Sequence, residues 1–329
     1  MQHPLLVVDD LVKYFPAAGG GVVHAVDGVS FELASGETLG LVGESGCGKS
    51  TLGKTLMHLH PPTSGSVSLQ GKELANVSRR AMKPLRRHLQ MVFQDPFASL
   101  NPRTTVGRAI EEPLIVHGIG TSAERRERVA WLLGKVGLPP DAGNRHPHEF
   151  SGGQRQRIGI ARALALQPKI IVCDEPVSAL DVSVRAQVLN LLADLKAEFG
   201  LAYLFISHDL SVVEYVCDRV AVMYLGRIVE IAPRQRLWQK PLHPYTRALF
   251  DAAPLPDPTR RRGRRLLLDG EIPSPVHPPS GCRFRTRCPL QIPRCAVETP
   301  HLVSAGEGHL VACHRAFEVP SIEVQPCTN

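Results

Sequence analysis

The run Gly43-Glu-Ser-Gly-Cys-Gly-Lys49-Ser50 has the spacing G-x-x-x-x-G-K-[ST]. A loop of that kind wraps phosphate oxygens in backbone N–H groups, because glycine lets the chain turn its amides inward. A helix opening near Ser50 would aim its positive end at the same anion. The Lys49 ammonium would then neutralise charge between the β- and γ-phosphates of ATP, and the Ser50 hydroxyl would ligate Mg2+. Gly43, Glu44, Ser45, Gly46, Cys47, Gly48, Lys49, Ser50 and Thr51 are the candidate phosphate contacts. The bland alternative is a chance Gly-rich turn. Further along, Lys169-Ile-Ile-Val-Cys-Asp174-Glu175 is an apolar run stopped by two carboxylates. Paired acids at the end of a buried strand are costly unless they are used. Asp174 suits a Mg2+ ligand, and Glu175 a general base aimed at the attacking water.

A second Gly-rich turn, Phe150-Ser-Gly-Gly-Gln-Arg155, stands before a helical stretch. Ser151, Gly152, Gly153 and Gln154 could form another anion cradle, or Ser151 could be an ordinary helix cap. One pocket does not need two cradles; two chains arranged head to tail do. This turn resembles the LSGGQ signature of ABC ATPases, with Phe150 where Leu is commonest. The other elements follow in family order. Gln94 in Met91-Val-Phe-Gln-Asp95 resembles the Q-loop, Ser178-Ala-Leu-Asp181 the D-loop, and Ser207-His208-Asp209 the H-loop. The chain thus resembles ABC transporter ATP-binding subunits over about residues 5 to 250. That resemblance implies that Gln94 contacts Mg2+ or the lytic water, that His208 binds the γ-phosphate and orients Glu175, and that Asp181 couples two sites across a dimer. Taken singly, Gln94 could be a surface amide and His208 a core histidine. Tyr14 and Phe15 resemble the aromatic A-loop that stacks adenine, where stacking on an aromatic ring is worth about 1–3 kcal/mol. Phe15 is favoured because it lies two residues after Lys13.

These residues need elements to hold them. Pro4–Val8 and Val22–Leu33 are β-rich, and Thr38–Val42 is an apolar run entering the loop, with a helix expected over Ser50–His58. Ser66–Leu69 and Leu89–Phe93 are further strand candidates. Helical patterning takes over near 96–150, for example Glu124–Val136, broken by Pro139, Pro140 and Pro147. Helix 152–166, strand 169–173, helix 182–199, strand 202–206, helix 209–216 and strand 219–224 then alternate, which implies a largely parallel buried sheet. The expected fold is α/β, a P-loop NTPase of the ABC nucleotide-binding type. It has an antiparallel β subdomain, a helical insertion at about 96–150, and an irregular Cys-rich C-terminal extension. The division is 1–253 for the ATPase domain and 254–329 for a Pro- and Arg-rich linker plus extension.

Ala25-Val-Asp-Gly-Val-Ser30, Gln94-Asp-Pro-Phe-Ala-Ser-Leu-Asn-Pro102, Glu175-Pro-Val-Ser-Ala-Leu-Asp-Val-Ser183 and Pro241-Leu-His-Pro-Tyr-Thr-Arg-Ala-Leu249 resemble the oligopeptide/dipeptide (and nickel) importer branch. Within it, the likeness is greatest to dipeptide-permease ATPase subunits. Of eight cysteines, Cys282, Cys288, Cys295 and Cys313 crowd into the tail at spacings of 5, 6 and 17 intervening residues. Zinc ribbons show tighter pairs. Four thiolates in an irregular loop also suit a [4Fe–4S] cluster, and unliganded thiols are the third alternative. Members of the importer branch carry such a cluster at a run like Cys282-Arg-Phe-Arg-Thr-Arg-Cys-Pro289. His309 and His314 are substitute ligands. A cluster would staple a tail that has little core of its own.

With 43% apolar residues the chain can bury a large core, and its net charge of +7 suits an anionic ligand without choosing which. The Arg260–Arg265 run reads as a solvated linker or a contact for anionic lipid. No stretch approaches 18 apolar residues and the N-terminus has no signal-like pattern, so if the protein serves a membrane process other chains supply the spans. The expectation is an ATPase peripheral to the cytoplasmic face of the inner membrane. Its partners would be two membrane-spanning permeases, a sibling or identical ATPase, and a solute-binding protein acting through the permeases, with no specific nucleic acid. Import of another solute such as nickel, and a non-transport ABC ATPase, are the alternatives.

Overall fold

A computed structural model describes residues 4–17, 19–75, 77–95, 99–252, 260–262, 270–318 and 324–326. Most of the expected 254–265 linker lies outside the described residues, including residues 263–265 of its basic run, as do residues 96–98 of the Gln94 run and Cys327. The chain begins with β1 (Leu6–Pro16) and β2 (Val22–Leu33), a long antiparallel pair. The apolar run Thr38–Val42 is β3, buried along its whole length, and α1 (Lys49–Leu56) follows the Gly-rich loop. Strands β4 (Ser64–Leu69) and β5 (Lys72–Glu73) complete a small antiparallel sheet in the order β2-β1-β4-β5.

After α2 (Arg79–Leu85), β6 (Leu89–Val92) enters the main sheet. Two helices occupy the Pro-punctuated region, α3 (Val106–Val116) and α4 (Ser122–Lys135). Helix α4 starts where the sequence tells it to. Thr121 and Glu124 form a reciprocal capping box that satisfies two otherwise orphaned N–H groups. Then come α5 (Gly152–Leu164), β7 (Ile170–Asp174), α6 (Val182–Phe199), β8 (Ala202–Ile206), α7 (Leu210–Val216), β9 (Arg219–Tyr224) and β10 (Arg227–Pro233). Helices α8 (Arg234–Gln239) and α9 (Pro244–Ala252) precede β11 (Arg260–Arg262); α10 (Arg294–Val297), β12 (Val303–Ser304), β13 (Leu310–Val311) and β14 (Val324–Pro326) lie in the tail.

The main sheet runs β12-β13-β10-β9-β3-β8-β7-β6. Its centre, β9-β3-β8-β7-β6, is parallel, as βαβ alternation requires. Successive side chains of a strand point to opposite faces, so each strand feeds two cores. Ile170, Val172, Leu204 and Ile206 pack with Leu52 of α1. Ile171, Cys173, Tyr203 and Phe205 pack with Ile158 and Ile160 of α5 and Val188 and Leu192 of α6.

The expectation of a tail with little core is corrected by the structure. Strand β13 pairs antiparallel with β10, so the extension lengthens the main sheet. His309 is buried, with Nε2 2.6 Å from a Glu230 carboxylate oxygen. Phe284 is 1% exposed and belongs to the large core. A sequence reading misses this because the burial is contributed by single residues spread through irregular chain, with no period to recognise.

Candidate nucleotide site

Strand β3 delivers the chain into the loop at Gly43. There φ is +154°, and a Cβ would lie 2.2 Å from the Met223 carbonyl oxygen. Gly48 stands at φ +108°, with a Cβ 2.0 Å from the Ala25 carbonyl oxygen. Only glycine fits at either position, so the loop packs against backbone on both sides. Lys49 Nζ is folded into the loop and donates to the carbonyls of Gly43 (2.7 Å) and Glu44 (2.9 Å). An ammonium held on neutral carbonyls is available to a stronger partner such as a phosphate.

A cavity of about 650 Å³ lies over this loop. Ser45, Gly46, Gly48, Lys49, Ser50 and Thr51 form its floor, and Gln94, Glu175 and His208 one wall. Phe15, Val23 and Ala25 line the remainder together with Pro275. Tyr14 faces elsewhere, because its hydroxyl donates to Asp27. Burial and the Asp27 anion push that phenol up to about 12. Of the two aromatic candidates, Phe15 is the one on the cavity. Gly43, Glu44 and Cys47 belong to the loop but are not among the residues lining this cavity: Cys47 is 5% exposed, with its sulfur 3.7 Å from Lys49 Nζ.

Asp174 ends β7 beneath the loop, and its Oδ1 accepts from the Ser50 hydroxyl at 2.8 Å. Burial holds this carboxyl above the usual aspartate range, against the pull of Ser50 and Lys54. Glu175, the next residue, has φ +49°, a left-handed conformation that is uncommon for glutamate. One of its oxygens accepts from Gln94 Nε2 at 2.9 Å; the other lies 3.0 Å from His208 Nδ1. The structure therefore brings together residues that follow β6, β7 and β8 at one carboxylate. Gln94 lines a second cavity as well, of about 650 Å³, whose walls include Arg86, Pro113 and Arg162.

The second Gly-rich turn behaves differently. Ser151 caps α5, accepting from Gln154 N–H while Gln154 reaches back to the Ser151 N–H. Ser151 and Gln154 are exposed, and Gly153 is packed so closely that a Cβ would meet Val184 at 2.3 Å. Neither this turn nor Asp181, the exposed N-cap of α6, is among the residues lining the nucleotide-sized cavity.

A profile described as ABC transporter matches residues 26–178, and one described as Oligopeptide/dipeptide transporter, C-terminal region, matches residues 229–295. The oligopeptide transport ATP-binding protein AppF of Bacillus subtilis is 54% identical over 95% of this chain and 98% of its own length. The chain belongs to the ABC transporter ATP-binding family. A putative peptide import ATP-binding protein of Brucella ovis is 56% identical over 95% of this chain and 98% of its own. Among solved structures, a dimeric post-hydrolysis ATP-binding cassette bound to ADP and Pi superposes with a TM-score of 0.64 at 29% identity, covering 70% of this chain and 98% of that one. The fold of this ABC ATPase is therefore the P-loop nucleotide-binding fold of such cassettes. Among the described residues no helix is long and apolar enough to cross a membrane.

In the extension of this ABC ATPase, Cys282, Cys288, Cys295 and Cys313 line one small cavity. His314 is on its wall, whereas His309 is turned away to Glu230. Burial pushes the Cys288 thiol up to about 11 and the Cys313 thiol up to about 12, and it raises Cys282. Among the described residues no group of three or more His, Cys, Asp and Glu is arranged to hold a metal ion. The motifs also gave no sign of three contacts to the nucleotide site. Pro275 lines it and accepts from His24 N–H at 3.0 Å; Arg287 pairs with Glu44; and the Tyr245 hydroxyl accepts from Glu44 N–H at 2.9 Å. All three lie far along the chain from the loop, so no contiguous pattern carries them.

Proposed function

We propose that this chain is the ATP-hydrolysing subunit that energises an importer of di- and oligopeptides, working at the cytoplasmic face of the membrane. The observation that carries the proposal is the Glu175 carboxylate, held between Gln94 and His208 on the wall of a cavity floored by Lys49 and Ser50. Lys49 exchanges its loop carbonyls for the β- and γ-phosphates. Glu175 takes the proton of the attacking water, and His208 holds Glu175 and meets the γ-phosphate. Phe15 stacks on adenine. Magnesium, when bound, supplies neutralising charge between phosphate oxygens; Ser50 and Asp174, already in contact with each other, are its ligands in this reading, with Gln94 beside them.

The exposed Ser151 turn supports a composite site. Ser151, Gly152, Gly153 and Gln154 of a second copy or a sibling ATPase close over the γ-phosphate, and Asp181 couples the two pockets. Gln94 belongs to both cavities, which supports a route to the permeases: the helical region near 96–150 receives them beside the second cavity. Peptide as the imported solute rests on the oligopeptide/dipeptide match over residues 229–295 and on the peptide-import names of the relatives. A solute-binding protein and two permeases complete the system.

Glu175→Gln tests the central role. It should bind ATP with affinity close to wild type and lose about a hundredfold or more of turnover in the assembled transporter. Turnover within threefold of wild type would remove Glu175 as base.

A second reading concerns the extension. The cavity shared by Cys282, Cys288, Cys295 and Cys313 favours a [4Fe–4S] cluster on those four side chains as thiolates; burial keeps the Cys288 and Cys313 thiols protonated at neutral pH, so loading would release their protons. Anaerobically purified protein should contain about four iron and four acid-labile sulfide per chain; stoichiometric zinc without iron would replace that reading.

A further inference from the structure

The run Cys282-Arg-Phe-Arg-Thr-Arg-Cys288 faces two ways. Its cysteines line the small cavity of the extension with Phe284 and Arg285, while Arg283, Phe284 and Arg287 also reach into the nucleotide-binding half. Phe284 lies among aromatic rings, 5.3 Å from Tyr224 and 5.5 Å from Tyr245. Arg283 pairs with Asp27 and donates to the Leu225 carbonyl at 2.5 Å. Arg287 places both terminal nitrogens on Glu44, at 2.8 Å and 3.1 Å.

Glu44 is the second residue of the phosphate loop, and its N–H, carbonyl and carboxylate are all held. Its N–H donates to the Tyr245 hydroxyl, its carbonyl accepts from Lys49 and from Cys47 N–H, and its carboxylate takes the Arg287 fork. Two of these three groups are held from the C-terminal part of the chain. A free carboxylate at that point would repel an incoming triphosphate. The guanidinium cancels the charge, and its planar two-pronged geometry fixes the carboxylate plane. The Arg287 side chain is 6% exposed and Glu44 22%, so water screens the pair only in part.

We propose that Arg287 is a positioning residue of the phosphate loop, through which the Cys-bearing extension sets the affinity for ATP. This rests on the nucleotide-site reading above. Arg287→Met should raise the ATP Kd of the full-length protein about tenfold with Mg2+ present, and the ADP Kd by less, because ADP carries less charge toward the unpaired Glu44. In the assembled transporter KM for ATP should rise while kcat stays within twofold. The double variant Arg287→Met with Glu44→Gln should recover most of the lost affinity, since the uncompensated anion is gone. Arg294→Ala, at an exposed extension arginine that pairs with Glu298, should leave Kd unchanged.

Glu44→Gln alone keeps the cation beside the loop and should bind ATP at least as tightly as wild type, which keeps the proposal testable if Arg287→Met does not fold. Unchanged ATP affinity in folded Arg287→Met, a double variant as weak as the single, or Glu44→Gln weakened more than about threefold would each overturn the role of Arg287. Wild-type protein that binds no ATP would overturn the nucleotide site itself.

Discussion

At the residue scale the site is economical: two side chains converge on one carboxylate. Glu175 accepts from Gln94 and lies against His208, so its two oxygens are oriented before any nucleotide arrives. Its left-handed φ of +49° is a backbone conformation that glutamate adopts only where surrounding contacts hold it, and the hydrogen bond from Glu175 N–H to the Ile206 carbonyl at 3.0 Å is one of those. Lys49 is the complementary case, an ammonium stored on the Gly43 and Glu44 carbonyls. Lys49→Ala should raise the Kd for ATP by a hundredfold or more while leaving the thermal midpoint of the nucleotide-free protein within a few degrees. Titration calorimetry paired with a melting curve reads both. Unchanged ATP binding would show that the cavity over the loop takes something other than a triphosphate. These residues were legible in the sequence because each sits in a short contiguous run whose spacing is itself the chemical requirement.

Elements explain why those runs work. Strand β3 is buried throughout and ends at Val42, so the loop starts from a fixed point at Gly43, and α1 follows with its N-terminus at Lys49. Helix α5 is the other polar end, capped by the Ser151–Gln154 box and open to solvent. A helix N-terminus exposed to solvent is what a pocket completed by a second chain requires. In a Glu175→Gln background, ATP should drive the purified protein to a dimer in size-exclusion chromatography; adding Ser151→Arg should abolish that shift, and dimers that persist would place closure elsewhere. Element positions were readable where a period existed. The helix expected over 182–199 is Val182–Phe199, and the strand expected over 202–206 is Ala202–Ile206. Ends drifted where capping overrode the pattern. The helix expected from residue 209 begins at Leu210, because the Asp209 side chain caps it by accepting from Ser211 and Val212 N–H groups.

At the scale of the whole molecule, the extension is part of the ATPase body. Strand β13 joins the main sheet beside β10, and Pro275 and Arg287 reach the nucleotide site and its loop. The buried Arg283–Asp27 pair, with Arg227 also on Asp27 at 2.8 Å, binds the extension to β2 as well. Breaking such a pair by removing one partner leaves a buried charge uncompensated, which makes the seam costly to open. The amino-acid sequence by itself determined the phosphate loop, the paired carboxylates, the order of the five nucleotide-binding runs and the alternation that builds a parallel sheet. Each is local, and backbone geometry within a few residues enforces it. Only the tertiary structure decided which distant side chains meet: Ser50 with Asp174, 124 positions apart, and Arg287 with Glu44, 243 apart. A charge pair between remote segments leaves no periodicity or spacing in the chain, because its geometry exists only once the sheet has brought the segments together.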